Sequence, residues 1–310
     1  TVVAAYAAPL QTLGLNGAAL VVVASGFLNP ANNSNGPAFG LWAALPSGGA
    51  LVELPAAGIP TARLQAIHNS ADLAAAEVDV YLNGALLIDD FAFRTATPFV
   101  DVQAGVDLTL SIAPGNSTSV DDAIANFPYN LPAGGSFILV ANGIVSPSGY
   151  NPATPFDIYV QADAREAATS GAGNTDILVF HGCTDAPVVD VAETAVLGGA
   201  TIVDDLAYGA FDGYLEVPTI DFTLQVQTAD GTPLLNYLAP LETLGLQGAA
   251  LTVVASGFLD PSANSNGAGF GLWVALPSGG ALVELPIATS LNEQSNISSF
   301  IAWPNPVNDI

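Results

Sequence analysis

Apolar and polar residues alternate along much of the chain with the two-residue period of a half-buried β-strand. The alternation is clearest in four stretches, each of which ends near glycine, asparagine, aspartate or proline: residues 77–84, 107–115, 156–163 and 222–231. Leu-Pro-x-Gly-Gly turn signals recur between such stretches, and no long stretch has a strong helical period. Many short strands separated by turns predict an all-β protein built from tandem immunoglobulin-like β-sandwich domains.

One long segment of the chain occurs twice. Residues 6–55 align with residues 237–286 without a gap, and 40 of the 50 aligned positions are identical. A weaker copy lies between them, where residues 138–144 match residues 252–258. Such a fixed period is the signature of a repeat architecture.

These copies divide the chain into units. Complete units are predicted at residues 59–173 and 174–288, and residues 1–58 correspond to the C-terminal half of such a unit. A half-unit leaves its core cut open, so upstream sequence or a neighbouring chain is expected to complete it. Residues 289–299 are polar and are predicted to be a linker, and residues 300–310 form the start of a separate tail.

The charge balance narrows the range of partners. The chain has 28 acidic residues against three arginines and no lysine, which gives a formal net charge of −25. Neutralising phosphates needs basic residues, so no nucleic-acid partner is expected. The apolar runs are too short for a helix that spans a bilayer, so no membrane span is expected. The single cysteine, Cys183, excludes an internal disulfide.

Both complete units resemble a known family. The resemblance rests on residues 177–191, with the sequence ILVFHGCTDAPVVDV, on their weaker counterpart at residues 64–84, and on the apolar strand near the end of each unit. These stretches are similar to the domain-of-unknown-function family 4397, found in tandem on secreted and surface proteins. The resemblance implies a β-sandwich and brings no activity. Ala74 and Ala75 stand where the later unit has Ala-Pro, so that loop departs from the pattern.

The tail resembles a second family. Residues 303–310 read WPNPVNDI, and the Trp303, Pro304, Asn305 and Pro306 stretch is similar to the opening of a type IX secretion sorting domain. This resemblance implies export across a bacterial outer membrane, followed by release or surface attachment. The same four residues are candidates for assembly, because an extended tail can add a strand to an open sheet edge.

Two histidines occupy equivalent positions. His68 precedes Asp72 and His181 precedes Asp185, so each unit has a His-x-x-x-Asp pattern. Such a pair suggests a metal ligand set or an oriented base. One imidazole and one carboxylate are too few for a metal site, however, so a histidine that bonds to its own loop is the preferred interpretation. Cys183 could be a nucleophile with His181, two residues earlier, as its base. No third group that would orient this base is evident, so Cys183 is interpreted as a small, partly buried residue.

Paired carboxylates are the remaining candidates for chemistry. Asp89 and Asp90 correspond to Asp204 and Asp205, and such pairs can bind Ca²⁺ with backbone carbonyls. A solvated turn is the preferred interpretation. No phosphate-binding loop, zinc motif or nucleophile motif occurs in the sequence. The chain is therefore expected to have no catalytic residues and no cofactor, with Ca²⁺ as the single metal considered.

These observations favour a non-enzymatic secreted structural protein. We expect an extracellular or surface-attached stalk or filament subunit that self-associates into a homopolymer, with strand complementation as the mode of polymerisation. The alternative is a cell-surface adhesin or carbohydrate-binding module that recognises glycans. The alternative rests on asparagine-rich loops and on the aromatic residues Trp42, Tyr159 and Trp273, which share one repeat position.

Overall fold

The computed structural model describes residues 4–11, 15–194 and 198–288. Strands dominate these residues, and the helical elements within them are short 3-10 helices: Pro30–Asn32, Leu73–Ala75, Val120–Asp122 and Pro261–Ala263. The all-β fold predicted from the two-residue period is therefore confirmed. The predicted linker and the tail with Trp303, Pro304, Asn305 and Pro306 lie outside the described residues.

Residues 4–58 are called the N-terminal segment below, and its described residues form five short strands: β1 (Ala5–Tyr6), β2 (Val21–Ser25), β3 (Gly40–Ala44), β4 (Val52–Glu53) and β5 (Ala56–Ala57). β1 pairs with β5, and β2, β3 and β4 form an antiparallel sheet in that order. β2 is consequently an edge strand, and all five of its residues are exposed.

Residues 59–173, the middle unit, contain nine strands: β6 (Thr61–His68), β7 (Glu77–Leu82), β8 (Ala85–Ala92), β9 (Thr95–Ala96), β10 (Val100–Gln103), β11 (Asp107–Pro114), β12 (Ala125–Asn130), β13 (Ser136–Asn142) and β14 (Asp157–Ala162). One sheet has the order β12-β11-β7-β8. The other contains β14, β13 and β6, with β9 and β10 both paired to β6. The two sheets enclose a core formed by residues such as Val78, Ile112, Leu139 and Ile158.

Residues 174–288 are called the C-terminal unit, and the part of it that the structure describes contains ten strands: β15 (Asn174–His181), β16 (Val189–Glu193), β17 (Thr201–Leu206), β18 (Phe211–Pro218), β19 (Asp221–Thr228), β20 (Pro233–Pro240), β21 (Ala250–Ser256), β22 (Gly271–Ala275), β23 (Gly280–Ala281) and β24 (Val283–Glu284). The sheets have the orders β17-β16-β19-β20 and β18-β15-β21-β22-β24. They enclose a second core around residues such as Phe222, Tyr237 and Val253.

The two units share an unusual pairing. β6 and β13 are parallel, as are β15 and β21, and their neighbours in each sheet are antiparallel. The β-sandwich character inferred from the sequence is therefore present in both units. The immunoglobulin-like type and the unit boundaries at residues 59, 173, 174 and 288 stay predictions.

A third apolar cluster lies between the units. It contains residues from the outer face of the sheet with β6 and β13 and residues from the outer face of the sheet with β15 and β21. These two sheets are thus covered on both faces, which explains why β13 and β21 are almost continuously apolar.

Candidate functional site: the junction between the units

The surface on which the two units pack together is called the junction below. Its buried apolar residues include, from the middle unit, Ile67, Phe99, Ile138 and Val140 and, from the C-terminal unit, Leu178, Phe180, Val254 and Leu282. Phe180 lies at its centre with no exposed surface. Its ring centroid lies 4.6 Å from that of Phe211 and 5.3 Å from that of Tyr159.

Polar contacts at the junction are reciprocal. The side-chain amide of Asn142, at the end of β13, donates a hydrogen bond to the Gly182 carbonyl at 3.0 Å. The side-chain amide of Asn69, just after β6, lies 3.5 Å from the Ala255 carbonyl in β21. The first contact joins the end of β13 to the end of β15, and the second joins the end of β6 to the end of β21. In the repeat, β13 corresponds to β21 and β6 corresponds to β15. The same face of both units therefore forms the junction, as in an isologous interface.

Arg94 crosses the junction. Its Nε donates to the Ser256 Oγ at 3.0 Å, and its Nη2 donates to the Gly269 carbonyl at 2.9 Å. The guanidinium carbon lies 4.0 Å from the centre of the Trp273 ring, a cation–π arrangement. Burial lowers the pKa of Arg94 to about 10, and the charge of Glu284 opposes this shift, so the side chain stays cationic at neutral pH.

The equivalent contact on the other side of the junction contains no cation. Gly209 stands at the repeat position of Arg94 and packs against Tyr159, which stands at the position of Trp273. A Cβ atom on Gly209 would lie 2.5 Å from the Tyr159 ring. The backbone φ of Gly209 is +77°, a conformation that glycine adopts without strain. One side of the junction is thus closed by an arginine and the other by direct backbone contact.

The two other arginines fix the connection between the units. Arg63 in β6 makes two hydrogen bonds of 2.8 and 2.7 Å to the carboxylate of Glu166. Arg165 donates to Asp176 in β15 at 2.7 Å and stacks on Tyr214. Residues 165 and 166 connect β14 to β15, so these bonds tie the connection to both units.

Backbone pairing also passes from one unit to the other. β9 of the middle unit pairs with β23 of the C-terminal unit. The Leu282 N–H donates to the Arg94 carbonyl at 2.8 Å, and the Gln65 side-chain amide donates to the Leu276 carbonyl at 2.8 Å. The β9–β23 pair adds a strand of one unit to the sheet of the other, which restricts rotation between them.

The histidines bond to their own loops. The Nε2 of His68 lies 2.7 Å from the Ala75 carbonyl, and the Nε2 of His181 lies 2.9 Å from the Pro187 carbonyl. Burial lowers the pKa of both, that of His68 to about 4. Both imidazoles are consequently neutral at pH 7 and donate to a carbonyl. The structural interpretation of the His-x-x-x-Asp pattern accounts for these contacts.

The aspartates of the same pattern bond to a different loop. Asp185 accepts hydrogen bonds from the N–H groups of Leu259 and Asp260, both at 2.8 Å. Asp72 accepts from the N–H groups of Val145 and Ser146, at 2.8 and 2.6 Å. Burial opposes ionisation of Asp72, but its hydrogen bonds outweigh this effect and hold its pKa below the usual value. In both units this carboxylate therefore anchors the loop that follows the parallel strand.

The neutral state of His68 predicts a pH dependence. The unfolded chain binds a proton at this imidazole below about pH 6.5, whereas the folded chain binds it only near pH 4. The folded state is therefore expected to lose on the order of 3 kcal/mol of stability from this group as the pH falls through that window. His68→Gln keeps a donor for the Ala75 carbonyl and removes the titration. Urea unfolding at pH 7 and pH 4 is expected to show a smaller pH difference for the variant than for the wild type. An equal difference would contradict the assignment.

Cys183 is buried and its Sγ lies 3.1 Å from Oδ1 of Asp185. Burial, with Asp185 adding to it, raises the pKa of the thiol far above neutral. A thiolate nucleophile is therefore not formed at physiological pH. Ser70 stands at the same repeat position and donates to the Gly143 carbonyl at 2.7 Å, so a small hydrogen-bonding residue satisfies this site in both units.

The paired aspartates lie in β-bulges. Asp90 and Asp205 both have a positive φ, near +52°, and the register of each strand pair shifts beside them. The N–H of Asp90 donates to the buried Asp79 carboxylate at 3.0 Å. Carboxylate oxygens of Asp79, Asp89 and Asp90 lie within 4.8 Å of one another. Ca²⁺ binding at Asp89 and Asp90, and at Asp204 and Asp205, stays a prediction.

Sequence reasoning missed the junction. Arg94, Asn142 and Gln65 were not singled out, although the three arginines are conspicuous in so acidic a chain. The available signal was the continuous apolar character of β13, β15 and β21, which indicates strands that are buried on both faces. Tyr159 and Trp273, which share one repeat position, both pack against the apolar cluster of the junction.

Comparison with known families gives one match. Residues 62–192 match the model of a family described as a domain of unknown function, DUF4397. Residues 64–84 and 177–191, on which the resemblance mainly rests, fall inside the match, whereas the apolar strand near the end of the C-terminal unit falls outside it. The match runs from β6 in the middle unit into β16 in the C-terminal unit, and it therefore includes the residues that connect the two units. No curated protein matches the chain. Within the described residues, no helix has the length and apolar character needed to cross a membrane.

Proposed function

We propose that the chain is a non-enzymatic structural protein of the extracellular space or cell surface, a stalk or filament subunit built from tandem β-sandwich units. The observation that carries this proposal is the junction. Contacts between domains of one chain are usually mobile unless the interface is large and apolar. Here an apolar cluster, a shared strand pair and an interlocking arginine fix one unit on the next. A stiff series of units is what a load-bearing stalk requires.

The placement of charge supports the same function. All three basic residues of the chain, Arg63, Arg94 and Arg165, contribute to the junction or to the connection between the units. The remaining surface is strongly acidic, which favours solubility outside the cell. We include secretion through the route that the tail resembles in this proposal, because a stalk must reach the surface to function there.

Self-association is the second element of the proposal. Among the described residues β2 pairs with β3 alone, so its other edge leaves backbone groups unpaired beside Val22 and Val23, which are 53% and 37% exposed. Exposed sheet edges of this kind readily accept a further strand. We propose that strand complementation at this edge joins one subunit to the next.

Negative-stain electron microscopy of material isolated from its natural source tests the proposal. Wild-type protein is expected to form regular rods or filaments. Val22→Lys is expected to prevent them, because the equivalent residue Val253 is buried in a complete unit and a lysine there would carry a charge into the core.

Leu87→Lys is the matched control, because Leu87 is also an exposed apolar residue on an edge strand, β8. This variant is expected to assemble as the wild type does. Dispersed particles from the wild type would contradict the structural role and would favour the adhesin alternative, which a glycan array then examines. In that alternative Trp273 is a poor sugar platform, because the Arg94 guanidinium covers its ring.

A further inference from the structure

The core of the C-terminal unit contains a cavity. Its volume is about 50 Å³, and it lies between the two sheets of the sandwich. The described residues that line it are all apolar, and they include Val203, Leu224 and Ala239 from one sheet and Leu251, Val253 and Leu272 from the other. Water in such a space would find no hydrogen-bond partner, so the cavity suits an apolar occupant.

The pairing of the strands identifies the equivalent positions in the middle unit. Phe222 in β19 corresponds to Leu108 in β11, because each follows the aspartate that begins its strand. Phe222 pairs with Ala239, whereas Leu108 pairs with Tyr129. Ala239 therefore stands where the middle unit has Tyr129.

A second aromatic position changes in the same direction. Leu251 corresponds to Phe137, because β21 pairs with β15 in the register in which β13 pairs with β6. Phe137 and Tyr129 both pack in the core of the middle unit. Phe222 is larger than Leu108, but it offsets only part of the volume that the two exchanges remove. The cavity is therefore a property of the C-terminal unit and not of the sandwich architecture, which can be filled at these positions.

A longer loop closes one end of the cavity. Nine residues, 241–249, connect β20 to β21, whereas five residues, 131–135, connect β12 to β13 in the middle unit. The longer loop contributes Leu241, Leu244 and Leu246 to the lining. Leu241 and Leu246 are buried, whereas Leu244 is half-buried. Leu244 therefore lies between the cavity and the surface, where the end of an apolar chain can enter.

We infer that the C-terminal unit binds a small hydrocarbon group in this cavity. One water-sized sphere takes roughly 10–15 Å³ of such space, so the cavity of about 50 Å³ fits a group of about three or four carbon atoms. A bound group provides the dispersion contacts that the walls of an empty cavity lack. The ligand is a free small hydrocarbon or the end of a longer acyl chain, which share this chemistry. This binding role goes beyond the structural role proposed above and does not depend on it.

Methyl NMR spectroscopy of the intact chain tests the inference with two probes, n-butane and hexanoate. During each titration, the methyl signals of Leu251 and Val253 are expected to shift in a saturable way. The methyl signals of Leu139 and Ile158, in the core of the middle unit, are expected to stay unchanged. The upper limit on affinity per ligand atom predicts a dissociation constant for n-butane of about 40 µM or weaker.

Two matched substitutions locate the site. Val203→Ile adds one methylene group to a residue that lines the cavity, and the middle unit already has Ile88 at this position. It is expected to weaken the binding of n-butane about fourfold or more, because the space for one methylene group is lost. Val217→Ile makes the same change at a buried core residue that does not line the cavity. It is expected to leave binding unchanged and to lower the free energy of unfolding, because that part of the core is already filled.

The two probes separate the two sources of the ligand. Saturable shifts with hexanoate would support a site that accepts the end of an acyl chain, and saturable shifts with n-butane alone would support a closed site for free hydrocarbons. No saturable shift with either probe would overturn the inference. Binding that Val203→Ile and Val217→Ile weaken equally would also overturn it, because the probe would then bind elsewhere.

Discussion

Replacing Phe180 with alanine is expected to destabilise the folded chain by about 4 kcal/mol and to release the two units from each other. The side chain is fully buried and packs on Phe211 and Tyr159 at the centre of the junction. Removing a buried phenylalanine costs the transfer free energy of the ring and leaves a cavity that the neighbours fill only in part. Because Tyr159 belongs to the middle unit, the loss acts on the contact between the units.

Phe222→Ala separates the effect on the junction from a general loss of stability. Phe222 is also buried, but it belongs to the core inside the C-terminal unit. Both variants are expected to unfold at lower urea concentration. Only Phe180→Ala is expected to broaden the distribution of distances between the units in small-angle X-ray scattering and to expose residues 164–173 to proteases. Identical scattering of the two variants below their unfolding transitions would show that the junction does not depend on Phe180.

The sequence allowed the strands to be predicted but not the faces on which they pack. Alternation over residues 107–115 and 222–231 identifies β11 and β19, which have one face toward a core. β13 and β21 lack such alternation, because one face lies in the sandwich core and the other at the junction. A continuous apolar run indicates that both faces of the strand are buried, but it does not identify the surface that packs against the second face.

The candidate site was predictable only in part. The equivalence of His68 and His181 follows from the repeat, and the structural interpretation of these residues agrees with their bonds to Ala75 and Pro187. That Asp185 bonds to Leu259 rather than to His181 depends on a contact between residues 74 positions apart. Such long-range contacts are set by the parallel register of β15 on β21, which sequence periodicity does not specify.

Replacing Arg165 with methionine is expected to cost about 3 kcal/mol, because it leaves a buried carboxylate without its cation. The Asp176 side chain is completely buried, and Arg165 is its ion-pair partner at 2.7 Å. Thr169 would still donate its N–H and hydroxyl to Asp176, but both are neutral donors. Methionine keeps the contact with the Tyr214 ring, so the expected loss is chiefly electrostatic.

The double variant Arg165→Met with Asp176→Leu distinguishes a stabilising pair from a pair that merely avoids an isolated charge. Replacing both members of a buried ion pair with apolar residues is often neutral, so the double variant is expected to recover most of the loss in urea unfolding. The Thr169 hydroxyl keeps an acceptor in Glu216 when Asp176 is removed. If the double variant is instead as unstable as the single one, the pair itself contributes net stability at this connection. That result would mean that Arg165 stabilises the connection between the units through attraction to Asp176, and that high salt should loosen the units.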